Sequence, residues 1–148
     1  MWKLVKKTLF ILTSLLILVN LNQALAASGK FVLEEATIED IHAAMKLGNL
    51  TARQLVEMYF KRIEAYDKKG PAINSVIMVN PKALKLADDL DAKFKKSGFV
   101  GPLHGIPVLL KDAVCTKDMP TTDGSLSLKG SIPPDDAFIE ARVSGLEC

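Results

Sequence analysis

Lys111 is the residue of this 148-residue chain best placed to do chemistry. It ends the apolar run Val108-Leu109-Leu110, which follows Gly-Pro-Leu-His-Gly-Ile-Pro at 101–107 and leads into Asp112. Prolines and glycines around a short apolar run predict a buried strand that delivers a functional side chain at its end. Cover on both faces of such a strand would hold the ammonium partly out of water, and desolvation favours the neutral amine. A neutral lysine can take a proton from a serine hydroxyl, so a Ser-Lys pair can do the work of a Ser-His pair. The plainer reading of the same pattern is a strand-end lysine whose ammonium reaches water.

The elements that would position Lys111 follow from periodicity and caps. A first helix is predicted from about Ile38 to Leu47, with Thr37 as N-cap, Glu39 and Asp40 in the first turn and Gly48 as the stop. A second begins after Thr51, where a capping box with Gln54 and the apolar pair Leu50 and Leu55 fix the entry. Its apolar stripe is Leu55, Tyr59, Ile63 and Tyr66, with Val56 and Phe60 alongside, and Lys68-Lys69-Gly70-Pro71 ends it. Residues Ile73 to Val79 are rich in apolar and β-branched side chains and read as a second buried strand. Asn80 and Pro81 then open a third helix that runs to about Lys96, with Leu84, Ala87, Leu90 and Phe94 on one face and Gly98 closing it. A fourth is expected from about Asp136 to Val143, after turns at Asp118-Met119-Pro120, Asp123-Gly124 and Pro133-Pro134. Helices alternating with strands predict an α/β fold, the two strands sharing one sheet through a right-handed crossover.

Other residue types offer less. Asp88, Asp89 and Asp91 read as a solvated helix face, because adjacent helical residues point apart and no further ligand recurs at metal spacing. Cys115 has no histidine placed by sequence to activate it, and Cys115 and Cys148 are read as unpaired thiols, with a bridge between them, which an oxidising compartment permits, as the alternative. The stripe of aromatic residues on the second helix reads as core.

The combination of Gly-Pro-Leu-His-Gly-Ile-Pro at 101–107, Lys111-Asp112, Thr121-Thr122 and Gly124-Ser125 resembles the first block of the amidase signature family. These are serine hydrolases that cleave carboxylic amides with a Ser, cis-Ser, Lys triad. The likeness extends from about Val32 to about Arg142. It implies the N-terminal part of the family's fold, a mixed sheet with helices packed on it, and makes Lys111 the catalytic lysine. That lysine takes the proton of the cis-serine, which relays it from the nucleophile. The family's second block, a Gly/Ser-rich loop carrying both serines, does not occur before Cys148. The expectation is therefore a truncated portion, residues 27–148, carrying the lysine but neither serine nor oxyanion hole and inactive alone. By the same resemblance Ser125 belongs to a supporting Gly-Ser turn and His104 to a tight turn that it stabilises by a hydrogen bond. Ala113 stands where the family has Asn, and Asp123 where it has a small residue. The first change removes hydrogen-bonding capacity, and a buried Asp123 near Lys111 would favour the charged lysine, so both argue against activity. The complete enzyme would act on a small-molecule or peptide amide, and no cofactor or metal is implied.

Residues 1–26 read as a signal peptide: Lys3, Lys6 and Lys7, an apolar stretch from Thr8 to Leu21, and a small-x-small site at Ala24-Leu25-Ala26. The stretch is shorter than the roughly 20 residues of a membrane-spanning helix, so secretion is expected and a stable membrane span is not. That segment disfavours the branch of the family that amidates transfer-RNA-bound glutamate. The chain carries a formal charge of +2, and with Lys3, Lys6 and Lys7 removed its basic and acidic groups nearly balance. They are interspersed, which excludes a nucleic-acid surface. A rival reading is a truncated, non-catalytic secreted protein that binds a partner through an exposed sheet edge. In a third, the fragment has no stable fold.

Overall fold

A computed structural model of the chain describes residues 31–145. Its regular elements are α1 (Ile38–Lys46), α2 (Ala52–Arg62), a π-helical turn (Ile63–Lys68) that continues α2, α3 (Ala83–Ser97), a 3-10 turn (Leu126–Leu128) and α4 (Phe138–Ser144). The expected signal peptide, residues 1–26, lies outside the described residues, as does Cys148.

The first two helices start where their side chains satisfy the orphan amides of the first turn. Thr37 Oγ1 accepts from the Asp40 amide while the Asp40 carboxylate accepts from the Thr37 amide. Thr51 and Gln54 repeat the arrangement at α2. At α3 the predicted start moves inward by two residues: Asn80 Oδ1 accepts from the Lys82 amide at 2.8 Å, and the helix proper begins at Ala83. Gly98 ends α3 with φ of 78°, a left-handed conformation that a side chain would disfavour.

The first three helices each bury a stripe of apolar side chains: Ile41 and Met45 from α1, Ala52, Leu55 and Val56 from α2, Ala87 and Leu90 from α3. Leu33 and Leu50 close the cluster, and Leu55 is its centre with no exposed surface. α2 packs on α3, and the contact is polar at its rim. Asp91 Oδ1 and Oδ2 accept from the amides of Ala52 and Arg53 at 2.7 and 3.2 Å, while Arg53 pairs with Asp88 at 2.6 Å. Asp88 and Asp89 lie on an exposed face as expected, the latter paired with Lys85, but Asp91 turns inward as a cap for the neighbouring helix. Tyr66, expected in the buried stripe, is exposed, with the Arg62 guanidinium 5.3 Å from its ring centre.

The expected α/β fold with a mixed sheet is corrected: among the described residues there is no strand and no sheet. No backbone hydrogen bond there joins residues 73–79 to 107–111. A strand owes its persistence to ladder partners, and at the start of the first segment other groups have taken that place. The amides of Ile73 and Asn74 bond to the carbonyls of Tyr66 and Asp67, and those of Ser75 and Val76 bond to the Asp67 carboxylate. Asn74 sits at φ of 54°, which interrupts an extended run outright. In the second segment Leu109 is 82% exposed, so the cover that would make a buried strand is missing. With no sheet there is no sheet edge among the described residues for a partner to join.

Candidate active site

The turn before Lys111 is fixed to the helical layer. Gly105 has φ of 71°, and a Cβ there would come within 3.0 Å of the Ala52 Cβ and 3.3 Å of the Met45 Cε, so the backbone passes where a side chain cannot. His104 is 1% exposed. Its Nδ1 accepts from the Val100 amide at 3.5 Å, and its carbonyl meets His42 Nε2 at 3.0 Å. His42 stacks on Phe99 with ring centres 4.3 Å apart. This is the turn-stabilising role expected of His104, with His42, which the sequence did not single out, as the clamp from α1.

From this anchor the chain runs without regular secondary structure through Pro107–Leu110 to Lys111, whose carbonyl accepts from the Val114 amide at 2.8 Å. Lys111 is exposed. The expectation of a lysine desolvated between two covered strand faces is therefore not met. Lys111 lines a cleft of about 490 Å³ together with Ser75, Val76, Ile77 and Met78 from one segment and the apolar residues Leu109, Leu110 and Met119.

Asp112 organises the floor of that cleft. Its carboxylate accepts from the Thr122 hydroxyl, from the Thr122 amide at 3.2 Å and from the Gly124 amide at 3.1 Å. Those bonds, the Thr122 hydroxyl foremost and then the Gly124 amide, hold its carboxyl below the usual carboxylate range. The Asp112 carbonyl accepts from the Asp123 amide at 3.3 Å, so one residue closes the loop 122–124 onto the lysine segment. Asp123 itself is exposed at φ of 47°, a conformation that Asp tolerates better than most residues. Ser125 closes the turn through its amide to the Thr122 carbonyl at 2.8 Å, and its hydroxyl lies 2.7 Å from that of Ser127. It does not line the cleft. Among the described residues that do, Ser75 is the one serine, and its hydroxyl donates to Asp67 Oδ1 at 2.7 Å.

The cleft thus offers an accessible amine beside a hydrogen-bonded carboxylate, without a serine poised as nucleophile. Cys115 is half-buried just beyond it, and its carbonyl accepts from the Ala137 amide at 2.9 Å. No group of His, Cys, Asp and Glu among the described residues has the arrangement of a metal site. None of the described helices is long and apolar enough to cross a membrane.

Comparison with known proteins shows that the chain belongs to the amidase signature family. The family model for amidases matches residues 54–146. A "probable amidase" of Arabidopsis thaliana is 44% identical over 119 residues, which is 78% of this chain and 23% of the relative. A glutamyl-tRNA(Gln) amidotransferase chain of Streptomyces coelicolor is 38% identical over 112 residues, covering 75% of this chain and 22% of that one. Among solved structures, the native peptide amidase of Stenotrophomonas maltophilia superposes with a TM-score of 0.72 at 40% identity, over 77% of this chain and 23% of that one. An amidase family protein of Bacillus anthracis gives 0.73 at 33% identity, covering 78% and 23%. The chain spans less than a quarter of the length of each of these relatives.

Proposed function

We propose that this chain supplies the lysine segment of a carboxylic-amide hydrolase, with Lys111 as the base of a Ser, cis-Ser, Lys relay and with a small-molecule or peptide amide as substrate. In that relay Lys111 Nζ takes the cis-serine proton, the cis-serine takes the nucleophile's, and the freed alkoxide attacks the amide carbon. Neither serine is supplied by the described residues around Lys111, so the chain alone leaves amides intact. The observation that carries this reading is the Lys111-Asp112 pair at the cleft, with Asp112 holding the Thr122 and Gly124 amides in place. The likeness to a peptide amidase supports amide hydrolysis over amide transfer, as does the signal-like segment at 1–26. We further propose that this segment sends the chain into the secretory pathway. N-terminal sequencing of product from a secreting host should then begin at Ala27, and recovery of an intact Met1 would overturn it.

The catalytic reading is tested by replacing the matching segment of the Stenotrophomonas peptide amidase with residues 54–146 of this chain and assaying an aryl amide. Hydrolysis should fall by about 10²–10⁴-fold on Lys111→Ala, the range for loss of a general base. Lys111→Arg should not restore it, because a guanidinium does not give up its proton. Retained activity in the folded Lys111→Ala chimera would sink the role. Hydrolysis by the unmodified chain alone, lost on Lys111→Ala, would instead place a nucleophile within this segment.

A further inference from the structure

α2 does not stop at Arg62 but widens into the π-helical turn Ile63–Lys68, closed by the Lys69 amide on the Glu64 carbonyl five residues back. Wide turns of this kind are rare, and they often mark places where a helix is bent to serve a site. This one carries a buried carboxylate that the relay at Lys111 does not use. Asp67 is 5% exposed. Its Oδ1 accepts from the Ser75 amide at 2.6 Å, the Ser75 hydroxyl at 2.7 Å and the Val76 amide at 3.3 Å, and Lys68 Nζ pairs with its Oδ2 at 2.9 Å. The same Lys68 ammonium donates to the Val76 carbonyl at 2.6 Å. Four consecutive residues, Ile73 to Val76, are thereby tied to Tyr66, Asp67 and Lys68.

The return between them is tightly specified. Ala72 and Asn74 both lie in the left-handed region, at φ of 52° and 54°. A Cβ at Gly70 would fall 2.7 Å from the Ala65 carbonyl oxygen. Backbone held in such conformations persists only where its surroundings enforce it, and here the enforcing contacts converge on one carboxylate. Lys68 foremost, and then Ser75, hold that carboxyl well below the usual carboxylate range, so it accepts hydrogen bonds as an anion at neutral pH. What the clamp fixes is Ser75 and Val76, the first two of the four consecutive residues that wall the Lys111 cleft.

We propose that Asp67 is a positioning residue for the Lys111 cleft, holding the wall Ser75–Met78 at a set distance from the amine so that an amide with an apolar flank is seated between them. This rests on the reading of Lys111 as the reacting amine. Val76, Ile77 and Met78 contribute apolar lining to the cleft from the clamped segment, and Leu109, Leu110 and Met119 contribute it from elsewhere in the chain. An apolar cleft with a few fixed polar groups selects by shape and by the loss of water from the ligand's flank.

The test uses the whole chain and needs no hydrolysis. Lysine acetylation by acetic anhydride is followed residue by residue by mass spectrometry in wild type, Asp67→Ala, Asp67→Asn and Ser75→Ala, with backbone hydrogen exchange on the same samples. Asp67→Ala should speed exchange at Ser75 and Val76 by about tenfold or more and acetylation of Lys111 by about threefold, with Lys46 and Lys85 unchanged. Asp67→Asn keeps an acceptor oxygen for Ser75 and should return most of the Lys111 rate. Faster exchange at 75–76 with an unchanged Lys111 rate would overturn the proposal, since the clamp would then be local. If Asp67→Ala loses its helical circular dichroism, Ser75→Ala decides: it removes the hydroxyl bond to Asp67 and should speed Lys111 acetylation, and an unchanged Lys111 rate overturns the proposal. A chimera whose hydrolysis ignores Lys111 would remove the catalytic reading while leaving these rates as measured, so the two failures are distinguishable.

Discussion

The stretch from residue 31 to Ile106 and the stretch from Pro107 to residue 145 are built on different principles. In the first, three helices, two of them opened by side-chain capping boxes, share one apolar cluster, and all of its buried members lie between Leu33 and Leu90. In the second, no apolar residue among those described is buried, and order comes from hydrogen bonds around single polar side chains such as Asp112 and Asp136. Stability sits in one region and the reactive groups in the other. The lysine segment therefore leans on a turn held from outside itself, where Gly105 is wedged against Ala52 and Met45.

The sharpest way to break this contrast is to empty the centre of the helical cluster. Leu55→Ala should cost about 2–5 kcal/mol, as for other fully buried leucines, and carry the loops with it in urea unfolding followed by circular dichroism. A cost below about 1 kcal/mol would mean that the cluster does not organise the chain. A smaller and more local effect is expected from acid. Asp112 is held below its unfolded value of about 3.9, so its contribution is present above that pH and is lost as pH falls through the folded value. Amides of Thr122 and Gly124 should therefore begin to exchange faster below about pH 4 while those of α1 and α2 remain protected. Simultaneous loss of protection in both regions would erase the distinction between them.

The helices are legible in the sequence because their signals are local. Thr37 with Asp40 and Thr51 with Gln54 lie three residues apart, and each cap is complete within its own turn. The expected strands fail because apolar runs such as Val108-Leu109-Leu110 record a preference that only a ladder partner can realise. Here the leading amides of the first run are taken by Asp67. Nothing in the sequence marks that side chain, because a π-helical turn has no apolar period of its own and its carboxylate acts on residues eight and nine positions away. Lys111 and Asp112 stand out from motif and from their place after a proline-bracketed run, but the exposure of the amine depends on what covers it, which spacing does not encode. His42 could have been noticed on α1 one position after Ile41, yet its partner is the backbone of a turn 62 residues away.

Asp91 has a consequence for how the molecule comes apart. Its carboxylate belongs to α3 but accepts from the first two amides of α2, so the start of α2 has its full complement of hydrogen bonds only while α3 lies against it. When α3 moves away at Asp91, the Ala52 and Arg53 amides lose their acceptor at the same moment as Leu90 leaves the cluster it shares with Leu55, while the Thr51–Gln54 box stays with α2. The two helices are thus one unit of opening, a single hinge plate and not two leaves, and the smallest fluctuation that exposes the interior involves both of them.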